Sequence, residues 1–209
     1  MSASQQHKQL IYAGKDLKSA AKAILMVHGR GATADDILSL APHLPLHEFA
    51  IIAPQATNFS WYPNSFLAQP QLNEPWLSSA INLLSEASSV IEAAGISSEH
   101  TYFLGFSQGA CLSLEYVTRN AKQYGGVIAF TGGLIGDQIY EERYTGDFHA
   151  TPVFIGSSNP DPHVPVDRVK ATTTLLRKMN ANVTEKIYES MGHTVNEDEI
   201  GEAIKILQK

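Results

Sequence analysis

Short apolar, β-branched runs alternate with longer segments of helical periodicity along almost the whole chain, and this alternation constrains the fold most strongly. The runs are Ala23–Val27, Phe49–Ala53, Thr101–Phe106, Gly126–Phe130 and Pro152–Ile155. Runs this short and this apolar read as strands buried on both faces. Lys8–Ala13 and Val183–Tyr188 alternate more and are expected nearer the sheet edges. Among the helical segments, Thr33–Leu44 opens with Thr33, Asp35 and Asp36, which suit an N-cap and a first turn. Trp76–Ala94 puts Leu77, Ile81, Leu84, Ala87 and Ile91 on one face, and Gly95 ends it. Gln108–Arg119, Val166–Met179 and Glu197–Leu207 follow. The pattern predicts an α/β fold, a mostly parallel central sheet with helices on both faces and no large cap domain.

At 209 residues, residues 1–209 read as one domain. With 15 Lys and Arg against 21 Asp and Glu, the formal charge is −6, so no basic stripe is available to neutralise phosphates. That balance argues against nucleic-acid partners and against stable anchoring on an anionic membrane. A single cysteine, Cys111, excludes an internal disulfide framework and a multi-cysteine zinc site, and it reads as a small buried apolar residue. Met1–Gln9 is polar, without the apolar run of a signal peptide, and no stretch approaches the roughly 18 apolar residues of a membrane span. A soluble cytoplasmic protein is expected, and a homodimer is compatible with the sequence.

Gln55–Pro75 breaks the alternation. It carries Trp61, Tyr62, Phe66 and Leu67 among polar residues and the prolines Pro63, Pro70 and Pro75. A long irregular loop in a compact domain is often functional, although its aromatic residues could equally serve only to pack on the core.

Gly105-Phe106-Ser107-Gln108-Gly109 matches G-x-S-x-G, the signature of a sharp strand-to-helix turn that exposes a nucleophilic serine. The context fits, since a strand-like run precedes it and a helical segment follows. Gly105 and Gly109 omit side chains that would clash in such a turn, and Ser107 would stand at a helix N-terminus that favours developing negative charge.

A serine hydroxyl needs a base, and the base needs an orienting acid. In sheets bearing this turn the chain order is Ser, then Asp or Glu, then His. His149, His163 and His193 follow Ser107, and His193 lies directly after the last strand, where Gly192 lets the backbone turn. Of Asp137, Asp147, Asp161 and Asp167, Asp161 emerges at the same sheet edge one strand earlier, in a loop stiffened by prolines. Asp167 reads as a helix cap and His163 as a structural or solvated residue.

For the tetrahedral oxyanion, the Gln108 amide is one donor. His28-Gly29-Arg30-Gly31-Ala32 offers the Arg30 amide as the second, with His28 in a structural role. The Arg30 side chain reads as solvated, with an acidic substrate as a lesser alternative.

These motifs resemble the phospholipase/carboxylesterase branch of the α/β-hydrolases, which includes the acyl-protein thioesterases. The resemblance is carried by His28–Thr33, Gly105–Ala110, Asp161–Pro165 and Gly192-His193, spread in order along nearly the whole chain. It implies a serine esterase with Ser107, Asp161 and His193 as triad and the Arg30 and Gln108 amides as oxyanion hole. The thioesterases usually carry Leu and then Gly-Asp where this chain has Arg30-Gly31-Ala32, so a small-molecule ester is the expected substrate, with a thioester or lysophospholipid as variants. Trp61, Tyr62 and Phe66, with Leu134 and Ile135, are expected to line the substrate site. No metal or cofactor is implied. Amide or carbon–carbon cleavage by the same triad, or a non-catalytic binding protein on this scaffold, are the alternatives.

Overall fold

The computed structural model describes residues 9–209. The leader reading for Met1–Gln9 and the start of the Lys8 strand therefore fall largely outside the described residues. Among the described residues seven strands form one sheet: β1 (Leu10–Gly14), β2 (Lys22–Val27), β3 (Phe49–Pro54), β4 (Thr101–Phe106), β5 (Gly126–Phe130), β6 (Pro152–Asn159) and β7 (Asn182–Glu189). Their order is β1-β3-β2-β4-β5-β6-β7, so the two more alternating strands are the edges. β1 runs antiparallel to β3, and the other pairs among the described strands are parallel.

The central strands are apolar throughout because both faces are covered. On one face α2 (Trp76–Ala93), α3 (Gln108–Arg119) and α4 (Val166–Lys178) bury Leu77, Leu84, Leu112, Leu114 and Leu176 against Leu25, Phe103, Val127 and Ile155. On the other, α1 (Ala34–Leu38) and α5 (Glu197–Leu207) bury Ile37, Ala203 and Ile206 against Met26, Leu104, Ile128 and Phe154. Among the described residues no helix is long and apolar enough to cross a membrane.

Two elements depart from expectation. Thr33 and Asp36 form a capping box at the start of α1, but the α-helix ends at Leu38 and only a 3-10 turn, Ala41–His43, follows. Pro42 lies in that turn, and with no N–H it cannot extend an α-helical ladder. Strand β6 runs four residues past Ile155. Gly-Ser-Ser-Asn has no strand propensity to announce it, but the segment pairs residue by residue with Lys186–Glu189 of β7.

The chain moves from β2 outward to β3, then crosses back so that β4 pairs with the other side of β2. The loops after β2 and β4 thus straddle the point where the winding direction reverses, the place where open α/β sheets form a crevice beyond their carboxyl ends.

Candidate active site

Ser107 joins β4 to α3 with φ 54° and ψ −119°, a left-handed conformation that a side chain adopts only under constraint. Several contacts hold it there. Its amide donates to the Phe130 carbonyl at 2.9 Å, fixing the turn to β5. A Cβ on Gly105 would strike the Gly109 carbonyl, and one on Gly109 would strike the carbonyls of Val27 and His28. The two glycines therefore let α3 start directly against β2 and β4, with the serine hydroxyl turned outward.

His193 comes to this hydroxyl from the loop after β7. Its Nε2 lies 2.8 Å from Ser107 Oγ, and its Nδ1 lies 2.9 Å from Asp161 Oδ2. An ionised carboxylate only accepts, so Nδ1–H donates to Asp161 and Nε2 is left to accept from Ser107. Asp161 Oδ1 accepts from the amides of His163 and Val164, each at 2.8 Å. Burial pushes the Asp161 carboxyl up, but the His193 hydrogen bond and these two amides together outweigh it and hold it below the usual carboxylate range. The side chain of Asp161 is fully buried, while that of His193 keeps 20% of its surface exposed. The histidine loop is tied down where the Gly192 amide donates to Ser158 Oγ at 2.9 Å, and Phe106 and His163 flank the imidazole at 5.2 and 5.0 Å between ring centroids.

Arg30 and Gln108 border the same opening, and the backbone amide of neither donates to another group among the described residues. In front of them lies a cleft of about 660 Å³ walled by Tyr62, Phe66, Leu67, Cys111 and Val164. A second hollow of about 430 Å³, bordered by Ile37, Leu40, Phe106 and Val195, also touches His193. Cys111, in the wall of the main cleft, is buried, and burial pushes its thiol up to about 12, so it carries no thiolate near neutral pH. Among the described residues no three His, Cys, Asp or Glu side chains gather as a metal site would need.

The structure departs from the sequence expectations at several of the remaining residues. Tyr62 and Phe66 line the cleft, but Trp61 does not: it is fully buried, its indole N–H donates to the His28 carbonyl at 2.8 Å, and its ring packs 4.8 Å from that imidazole. Ile135 and Leu134 are also buried away from the cleft. The Ile135 amide donates to Glu115 and the Leu134 amide to Thr172, each at 3.0 Å. Asp167 lies in the first turn of α4 without capping it. The Arg30 guanidinium is exposed but not idle, since it donates to Ser60 Oγ and to the carbonyls of Pro63 and Asn64. His28 is structural, with Nδ1 on the Gly29 carbonyl and Nε2 accepting from the Ala56 amide. The fully buried Glu115, which also accepts from Tyr144 and pairs with Arg119, had no signal beyond its i,i+4 spacing to that arginine.

A family model described as Phospholipase/Carboxylesterase matches residues 10–209. The fold is closely shared with the crystal structure of a phospholipase/carboxylesterase from Dyadobacter fermentans, at 54% identity and a TM-score of 0.96 over 98% of each chain. Among curated proteins, a probable carboxylesterase, SOBER1-like, of Arabidopsis thaliana is 29% identical over 52% of this chain and 41% of its own length. An acyl-protein thioesterase 1 of Gibberella zeae is 30% identical over 56% of this chain and 50% of its own. The chain spans about half the length of these two curated relatives.

Proposed function

The chain belongs to the phospholipase/carboxylesterase family and has the α/β-hydrolase fold, and from that premise we propose that it hydrolyses small neutral carboxylic esters through an acyl-enzyme on Ser107. The observation that carries this reading is the unbroken hydrogen-bond chain from Ser107 Oγ through His193 to Asp161, at 2.8 and 2.9 Å.

In this reading His193 Nε2 takes the Ser107 proton as Oγ bonds to the acyl carbon. The buried Asp161 carboxylate stabilises the imidazolium and keeps the ring in the tautomer that leaves Nε2 free. The carbonyl oxygen becomes an oxyanion facing the Arg30 and Gln108 amides at the positive end of α3. His193 then passes the proton to the departing alkoxide, and water repeats the steps on the acyl-enzyme. The acyl group occupies the cleft walled by Tyr62, Phe66 and Leu67, while the second hollow touching His193 leaves room for the alcohol side.

A neutral substrate follows from the walls. The Arg30 guanidinium is committed to loop acceptors, and the Asp161 carboxylate is taken by His193 and two amides. No other fixed charge borders the main cleft among the described residues. The same chemistry cleaves a thioester, and the name of the Gibberella zeae relative favours assaying one alongside.

Turnover of p-nitrophenyl butyrate tests the reading. Ser107→Ala and His193→Ala should each lower kcat by several orders of magnitude, as loss of a triad member does. A near wild-type rate in either variant would contradict that residue's role, and no hydrolysis by the folded wild type would favour a binding protein.

A further inference from the structure

Arg30 and Gln108, which line the cleft with Ser107, both grip, with their side chains, the same short segment of the cleft wall. From the loop after β2, Arg30 Nη1 donates to Ser60 Oγ at 3.2 Å and to the Pro63 carbonyl at 2.9 Å, and Nη2 donates to the Asn64 carbonyl at 2.6 Å. From the first residue of α3, Gln108 Oε1 accepts from the Trp61 amide at 3.0 Å and from Ser60 Oγ at 3.5 Å, while Nε2 donates to the Tyr62 carbonyl at 2.8 Å. Two further bonds run alongside, from the Gly31 amide to the Phe59 carbonyl at 2.7 Å and from the Trp61 indole to the His28 carbonyl.

We infer that the segment Ser60–Asn64 is a brace that sets the separation of the Arg30 and Gln108 amides, and that the Arg30 side chain is a positioning residue for oxyanion stabilisation. This rests on the esterase reading above. The Gln108 amide needs little help, because it starts a helix buried along almost its whole length. The Arg30 amide is different. It lies between two glycines, and Gly31, at φ +77°, has nothing within 4 Å of the place a Cβ would occupy. Packing therefore does little to hold this loop on its outer side. A guanidinium is planar and offers its donors in a fixed fork, so three acceptors on a segment anchored to Gln108 fix the Arg30 main chain relative to α3. Tyr62 belongs to the same segment and lines the cleft, so the acyl wall and the oxyanion donors move together.

The test compares kcat and KM for p-nitrophenyl butyrate with the inhibition constant of an aliphatic trifluoromethyl ketone. With that ketone Ser107 Oγ bonds to the carbonyl carbon, the carbonyl π pair becomes an oxyanion, and the serine proton passes to His193. Arg30→Met keeps the backbone amide and the aliphatic stem but has no donors. It should lower kcat by about 10- to 100-fold, the scale on which small misplacements act. The ketone should weaken by the same factor, with KM nearly constant. Arg30→Lys, which restores one donor group, should recover part of both losses. Because Arg30 is exposed, these variants should fold, whereas a change at the buried Gln108 could disturb α3. A raised KM with kcat and ketone affinity at wild-type values would make the segment a substrate wall only and overturn the inference, as would no change in any constant. A wild type that forms no ketone adduct, or a Ser107→Ala variant that hydrolyses the ester as fast, would instead overturn the esterase reading itself.

Discussion

Glu199 lies at the third position of α5, fully buried, where Oε2 accepts from the Asn196 amide at 3.0 Å and completes a capping box. Oε1 faces Gly156 of β6, so closely that a Cβ there would collide with it, and has no hydrogen-bond partner among the described residues. Burial, opposed by the Asn196 amide and reinforced by Asp198, pushes the carboxyl from 4.5 to about 7. Tyr188 of β7 also feels this charge. Between those two pH values the folded protein holds a proton that the unfolded chain has released, so stability falls as pH rises through the window and levels off above it. At about 1.4 kcal/mol per pH unit the full loss is about 3 kcal/mol. Glu199→Gln keeps an acceptor for the Asn196 amide, since Gln also serves a capping box, and removes the charge. Urea unfolding at pH 5, 6, 7 and 8 should show the variant gaining on the wild type with rising pH, by up to about 3 kcal/mol at pH 8. Parallel pH profiles for the two proteins would refute the reasoning.

Two further outcomes follow from the site. Asp161→Asn should lower kcat by about 10⁴-fold, because an amide in place of the carboxylate favours the wrong imidazole tautomer; full activity would move the orienting role elsewhere. Cys111 should resist iodoacetamide at pH 8 in the folded protein and react on unfolding, since its thiol is buried and pushed up to about 12; rapid native alkylation would contradict that.

What the sequence makes legible here is what short-range physics controls. The bounds of α3 and α5 are visible because a tight turn or an acidic first turn starts each one and the apolar period is regular. The meeting of Ser107, Asp161 and His193 is legible for a topological reason, because each follows a strand whose carboxyl end must lie on the same rim of a parallel sheet. What escapes is set by partners distant in sequence. Trp61 reads as an aromatic wall residue, yet its indole N–H finds a carbonyl beneath the site and the ring follows it inward. Nothing local reveals that the Arg30 guanidinium reaches Asn64, or that Ser157 and Ser158 stay extended because β7 pairs with them. The burial of Glu199 likewise comes from the packing of α5 on Gly156, a contact distant in sequence.

Covalent capture tests the central claim most directly. The folded protein, treated with a fluorophosphonate and then digested, should carry one phosphonyl group on the peptide containing Ser107. Labelling should be abolished by Ser107→Ala and strongly slowed by His193→Ala. A label on another residue, or none on well-folded wild-type protein, would contradict a serine activated by His193 and Asp161.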